Sequence, residues 1–185
     1  MVFINEKYKV IFVENPKCAS STILNALIRV LDSDYHRDKL PEEAHLTSRQ
    51  IQVQCGPEIW NGYLKVSTSR DPFKRFKSSL MFSKHKSYCD KLDTFENVEE
   101  HLKNNNGCPY CIRQEEFTDG MDIILDMDNL QTDFDNLCIK LGVNSIELLK
   151  TNTNTEFNSL IRSDKLTELF DLYTSIPTKN LSSSM

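Results

Sequence analysis

The chain has 185 residues, a size that favours one domain with a single sizeable core. Its 22 lysines and arginines and 27 aspartates and glutamates give a net charge of −5, which argues against a general nucleic-acid-binding protein because affinity for a phosphate backbone needs an excess of cations. Hydrophobic residues at 39% and charged residues at 26% are typical of a soluble globular chain. No apolar run approaches the roughly 20 residues that cross a bilayer, and the first residues do not resemble a signal peptide, so we expect no membrane partner and a cytoplasmic location.

Strands alternate with helices along the chain. Residues 8–13, YKVIFV, predict a strand, and the apolar periodicity that follows predicts a helix from Ser20 or Ser21. The later elements are a short helix capped at Thr47 or Ser48 and ended near Gly56, a strand over 62–69, a helix from Pro72, a short helix near 98–104, a strand over 121–127, a helix over 133–142 and a helix over 164–173. This order predicts an α/β fold with a small, mostly parallel sheet flanked by helices. We expect one domain over residues 1–176 and a flexible tail over 177–185.

The turn after the first strand carries chemistry suited to an anion. Residues 14–22, ENPKCASST, offer the hydroxyls of Ser20, Ser21 and Thr22, the ammonium of Lys17 and the N–H groups of a helix start. In parallel sheets, ligands bind beyond the carboxyl ends of strands, where helix N-termini point their N–H groups. The turn is therefore a candidate phosphate site, although taken alone it is more typical of a well-capped helix start.

The turn after the second strand offers a second anion site. In TSRDPFKRFKSS, residues 68–79, Arg70 stands at the strand end and Ser78 follows eight residues later. The alternative is structural, with Arg70 and Asp71 as an ion pair and Pro72 opening a helix. Because the two turns follow consecutive strands, their combination indicates a site for two phosphates.

The two turns resemble the motifs of a known family. KVIFVENPKCASSTILNAL resembles the 5′-phosphosulfate loop of the sulfotransferases, and STSRDPFKRFKSSL resembles their 3′-phosphate motif. EAHLTSRQI and ILDMDNLQTDFDNLCIKLGV resemble the Golgi-type carbohydrate branch, which includes the uronyl 2-O-sulfotransferases. The resemblance covers most of residues 8–142 and is weaker from there to residue 176. It implies a P-loop-like fold, the donor 3′-phosphoadenosine 5′-phosphosulfate, the product adenosine 3′,5′-bisphosphate and no metal.

The resemblance also implies roles for the residues of the donor site. Lys17 would stabilise the charge on the leaving oxygen, and the loop residues Cys18, Ala19, Ser20, Ser21 and Thr22 would hold the 5′-phosphate. Arg70 and Ser78 would hold the 3′-phosphate. Gln114 falls in a segment that members of the family place on the acceptor side.

The acceptor hydroxyl needs a base, and the resemblance implies His45. Its ordinary pKa near 6.5 suits that role. Two alternatives stay open at this point: His45 caps the next helix or lies on the surface, or Glu42 or Glu43 is the base. The acceptor is expected to be a carbohydrate or a small glycosylated molecule.

Two rival functions also stay open. The glycine pattern GxxxxGK[ST] is absent, which excludes the usual ATPase or kinase loop. A magnesium-dependent phosphotransferase would need a carboxylate at a strand end, and residues 126–128, DMD, are the candidate. A degenerate domain that binds a nucleotide or a partner without turnover is compatible with the short chain and with the polar strand KVSTSR before Arg70.

The cysteines give a weaker signal. CPYC at residues 108–111, with Cys89 and His85 upstream, is compatible with a zinc site, a disulfide or ordinary thiols. Cys18 beside a lysine and a helix start is a candidate reactive thiol. The oligomeric state has no sequence signal.

Overall fold

The computed structural model describes residues 2–32, 45–85, 94–103, 112–149 and 163–175. The helices and strands are β1 (Val2–Asn5), β2 (Val10–Val13), α1 (Ser20–Val30), α2 (Ser48–Gly62), β3 (Leu64–Ser69), α3 (Pro72–His85), α4 (Phe95–Lys103), α5 (Glu115–Thr118), β4 (Ile123–Asp126), a 3-10 turn (Met127–Asn129), α6 (Leu130–Leu141) and α7 (Ser163–Ser175). The predicted α/β fold is confirmed.

The four strands form one sheet in the order β1-β2-β3-β4. Strands β2, β3 and β4 are parallel, with Phe12 opposite Val66 and Val66 opposite Ile123. The carboxyl ends of these three strands therefore lie along one edge of the sheet. The sequence did not predict β1, which pairs antiparallel with β2.

The described residues before 71 and between 114 and 149 form one compact unit, which we call the first unit. Its core joins one face of the sheet, carrying Phe12 and Val66, to apolar side chains of α1 and α6 such as Leu27 and Phe134. Because side chains alternate along a strand, Ile11, which lies between Val10 and Phe12, points to the opposite face. There α2 contacts β2, and α5 contacts β3.

The described residues of 71–113 and 163–175 form a second compact unit. Its own core is built from apolar side chains of α3, α4 and α7, including Phe76 and Leu169. The guanidinium of Arg75 is buried there and donates to the carbonyl oxygen of Ile112 (2.8 Å) and to the hydroxyl of Tyr173 (3.2 Å). That residues 1–176 act as one domain stays a prediction.

Local signals account for several helix ends. Thr47 caps α2 through a reciprocal pair of hydrogen bonds with Gln50, and Gly56 interrupts that helix at φ 79°, where the sequence predicts its end. Gly142 closes α6 in the left-handed region, as predicted. The predicted loops over 32–44 and 150–160 fall almost wholly, and the tail over 177–185 entirely, outside the described residues. None of the helices in the described part of the chain has the length and apolar character to span a bilayer.

Candidate functional site

The turn between β2 and α1 adopts a conformation that glycine would favour, although it contains none. Lys17 has φ 64° and Ala19 has φ 58°. A left-handed conformation costs a residue with a Cβ about 1–2 kcal/mol. Turns of this kind form concave groups of N–H donors that bind anions. The strain at two of three consecutive residues therefore marks this turn as a candidate site.

The first turn of α1 adds donors to the same place. The N–H groups of Thr22 and Ile23 donate to the carbonyl oxygen of Ala19, at 3.0 and 3.2 Å. Within the described part of the chain, the N–H groups of Ser20 and Ser21 have no acceptor. Because the helix dipole also favours negative charge at this end, these two amides are suited to a phosphate.

Lys17 lies half-buried in the turn. Burial, followed by the positive charge of Arg70, lowers the pKa of Lys17 from 10.5 to about 8, against an opposing effect of Cys18. Cys18 itself is fully buried with a free thiol. Because the positive charges of Lys17 and Arg70 lie close enough to repel each other, an anion beside them would be stabilised.

Arg70 follows the last residue of β3 and joins the two turns. Its Nη1 donates to the carbonyl oxygen of Lys17 at 3.4 Å. Its backbone N–H donates to Oε1 of Gln114 at 3.3 Å. The structure thus brings Lys17 and Arg70 together, as the sequence predicts for two turns at neighbouring strand ends.

His45 lies at the same edge of the sheet. Its Nδ1 is 3.3 Å from the carbonyl oxygen of Glu14, three residues before Lys17. A carbonyl oxygen only accepts hydrogen bonds, so a hydrogen bond here requires the proton on Nδ1, and in the neutral tautomer the lone pair is then on Nε2. The alternative in which His45 caps the next helix is wrong, because Thr47 is the cap. Glu42 and Glu43 lie outside the described residues.

Ser78 lies on α3, in the second unit, and its side chain is half-exposed. Its role at the 3′-phosphate stays a prediction. The structural alternative for this turn is confirmed in one part, since Pro72 opens α3. Asp71 caps that helix, because its Oδ1 accepts from the N–H of Lys74 at 2.8 Å.

The carboxylate of Asp126, the first residue of the DMD segment, serves as a local cap. Oδ1 of Asp126 accepts from the N–H of Asp128 at 2.9 Å, and Oδ2 of Asp133 accepts from the N–H of Asp126 at 2.7 Å. The residues that the structure describes contain no group of three or more His, Cys, Asp or Glu side chains suited to a metal. Cys89, Cys108 and Cys111 fall outside the described residues.

One residue of the site was missed by the sequence analysis. Asn15 is fully buried, and its Nδ2 donates to the carbonyl oxygen of Thr68 at 2.8 Å. Its only sequence signal is a polar side chain directly after a buried strand and before Pro16. Its partner lies 53 residues away, which no local pattern reveals.

Comparison with known proteins identifies the family of the chain. Residues 1–168 match the model of the sulfotransferase family. No curated protein and no solved structure matches the chain significantly.

Proposed function

Because the chain belongs to the sulfotransferase family, we propose that it transfers a sulfuryl group from 3′-phosphoadenosine 5′-phosphosulfate to an acceptor hydroxyl by in-line displacement. The acceptor would be a carbohydrate or a small glycosylated molecule, as in the Golgi-type and uronyl 2-O branch that the sequence resembles. The observation that carries the proposal is the meeting of Lys17 and Arg70 at two neighbouring strand ends, with Arg70 Nη1 3.4 Å from the Lys17 carbonyl oxygen.

The residues fit the two phosphates of such a donor. The N–H groups of Ser20 and Ser21, with the hydroxyls of the first turn of α1, would hold the 5′-phosphate. Arg70 would hold the 3′-phosphate, because a guanidinium offers several donors to one anion. Ser78 is assigned to the same phosphate from the sequence motif alone.

The reaction needs charge stabilisation and the removal of one proton. A bond forms between the acceptor oxygen and sulfur while the bond from sulfur to the bridging oxygen breaks. Lys17 would stabilise the negative charge that develops on the leaving oxygen. Nε2 of His45 would accept the proton of the acceptor hydroxyl, with the ring oriented by the Glu14 carbonyl oxygen.

Neither rival function gains support from the structure or the comparisons. A phosphotransferase would use the carboxylates of residues 126–128, but Asp126 accepts a hydrogen bond from the N–H of Asp128. A degenerate binding domain differs from the proposed enzyme only in turnover. A screen of acceptors with the donor present therefore separates these two functions.

The donor site is tested by thermal unfolding with adenosine 3′,5′-bisphosphate in a chelator. We expect ligand at about 100 times its Kd to add about 2.7 kcal/mol to the free energy of unfolding, which raises the melting temperature by several degrees. Lys17→Ala and Arg70→Ala should remove most of the shift. Lys140→Ala, which alters an exposed lysine of α6, should keep it. A shift with ATP and Mg²⁺ but none with the bisphosphate would overturn the proposal.

The base is tested separately. His45→Gln should lower the turnover number by about 100-fold or more, the lower end of general-base contributions, while the affinity for the bisphosphate stays the same. If His45→Gln keeps full turnover on an accepted substrate, another group is the base.

A further inference from the structure

The side chain of Asn15 extends the pairing of β2 with β3 beyond the last backbone pair. That pairing ends at Val13 opposite Ser67. Two residues past Val13, the amide nitrogen of Asn15 donates to the carbonyl oxygen of Thr68, the residue after Ser67, at 2.8 Å. The Asn15 side chain is fully buried, so water does not compete for this bond.

The bond lies immediately before both cations of the candidate site. Lys17 comes two residues after Asn15, and Arg70 comes two residues after Thr68. Pro16 stands between Asn15 and Lys17 and fixes its own φ near −65°, which stiffens that short connection. A second hydrogen bond, from Arg70 Nη1 to the Lys17 carbonyl oxygen, links the two cationic residues directly.

We infer that Asn15 is a positioning residue that fixes the separation between the phosphate site at Lys17 and the phosphate site at Arg70. It thereby selects ligands that carry two phosphates at the spacing of a nucleoside 3′,5′-bisphosphate. The inference rests on the proposed function and specifies how the donor site recognises its ligand.

The physical basis is the coupling of two contacts within one ligand. When two sites have a fixed separation, binding of the first phosphate presents the second at a high effective concentration. If the separation fluctuates, each phosphate still finds its cation, but the gain from simultaneous binding shrinks. Loss of Asn15 should therefore weaken binding of the bisphosphate far more than binding of either monophosphate.

The partner of Asn15 dictates which substitutions are informative. Because that partner is a carbonyl oxygen, the amide must act as a donor. Asn15→Leu keeps the branching of the side chain and removes the donor, and Asn15→Ala removes the side chain beyond Cβ. Either variant leaves the Thr68 carbonyl oxygen without this bond, which destabilises the fold.

Ser67→Ala is the matched control. The hydroxyl of Ser67 is also fully buried and also crosses from β3 to β2, donating to the Val13 carbonyl oxygen at 2.9 Å. It lies within the paired part of the strands rather than beyond it. Its loss should destabilise the fold to a similar degree without changing the separation of the two cations.

The experiment is calorimetric titration of the parent chain and the three variants with adenosine 3′,5′-bisphosphate, adenosine 5′-monophosphate and adenosine 3′-monophosphate. Urea unfolding confirms that each variant is folded under the titration conditions. We expect both Asn15 variants to lose about tenfold or more in affinity for the bisphosphate and less than about twofold for each monophosphate. Ser67→Ala should bind all three ligands as the parent does.

The outcomes separate the inference from the proposed function. If an Asn15 variant loses the same factor for all three ligands, or keeps its affinity for the bisphosphate, Asn15 does not set the separation. If Ser67→Ala shows the same selective loss, the effect comes from general weakening of the strand pair. If the parent chain binds none of the three ligands, the proposed function itself is refuted.

Discussion

If Lys17 binds the donor product as proposed, its lowered pKa should make the affinity for adenosine 3′,5′-bisphosphate depend on pH in a range where an ordinary lysine does not titrate. Burial and the charge of Arg70 bring this pKa from 10.5 to about 8. In the proposed site the phosphate would bind the charged ammonium, so the neutral form would first take up a proton. Affinity should therefore be constant below about pH 7.5 and should fall as the pH rises through 8.

The size of the effect follows from the fraction of Lys17 that is charged. With a pKa of about 8, roughly nine tenths of Lys17 is charged at pH 7 and roughly one tenth at pH 9, so the Kd for the bisphosphate should rise about tenfold. A lysine at 10.5 would change the Kd by less than about a tenth over this interval. The tenfold rise therefore reports the environment of Lys17.

Titration calorimetry with adenosine 3′,5′-bisphosphate at pH 7, 8 and 9 measures the change. At pH 9, buffers of different ionisation enthalpy should reveal the uptake of about one proton per ligand. Lys17→Arg is the control, because a guanidinium stays charged throughout and its Kd should be flat. Because ordinary thiols ionise near pH 8.5, Cys18→Ser serves as a second control, in which the neighbouring thiol is absent. A Kd that is constant in the parent chain, or one that rises equally in Lys17→Arg, would refute the reasoning.

Two predictions concern stability. The carboxylate of Asp122 accepts from the backbone N–H (2.7 Å) and the ammonium (2.8 Å) of Lys65; burial works to raise the Asp122 pKa, but Lys65 outweighs it and the pKa is lowered. Because the Asp122 side chain is 43% exposed, solvent screens its interaction with Lys65. Asp122→Asn should therefore lower the free energy of unfolding in urea by at most about 1 kcal/mol at pH 7. The difference from the parent should vanish as the pH falls through the lowered pKa, and an unchanged difference at acidic pH would contradict this origin. Leu27 is fully buried in the first unit, so Leu27→Ala should cost about 2–5 kcal/mol, whereas Val53→Ala, at a side chain 76% exposed, should stay within about 0.5 kcal/mol in the same urea assay.

The sequence was sufficient for elements whose signals are local. The buried strand β2, the helix start at Ser20, the break at Gly56 and the left-handed end at Gly142 each follow from a few neighbouring residues. The convergence of Lys17 and Arg70 was also predictable, because parallel strands end at a common edge.

The features that the sequence did not reveal depend on distant partners. Strand β1 has only four residues and is held in the sheet by its pairing with β2. The division into two cores was not visible, because an amphipathic helix shows which face is apolar but not which helix will cover it. The bond from Asn15 to Thr68 crosses 53 residues and needs the register of two strands to be known.

The left-handed conformation of Ala19, at the start of α1, affects whether the conformational entropy of this turn is lost on folding or on binding. A glycine at Ala19 would reach φ 58° without strain, but it would also visit many other conformations in the absence of ligand. Alanine has fewer conformations to lose, and the folded chain already holds it in the required one. The cost of ordering this turn is therefore part of the free energy of folding, and an anion that binds at the proposed site would meet donors that are already arranged.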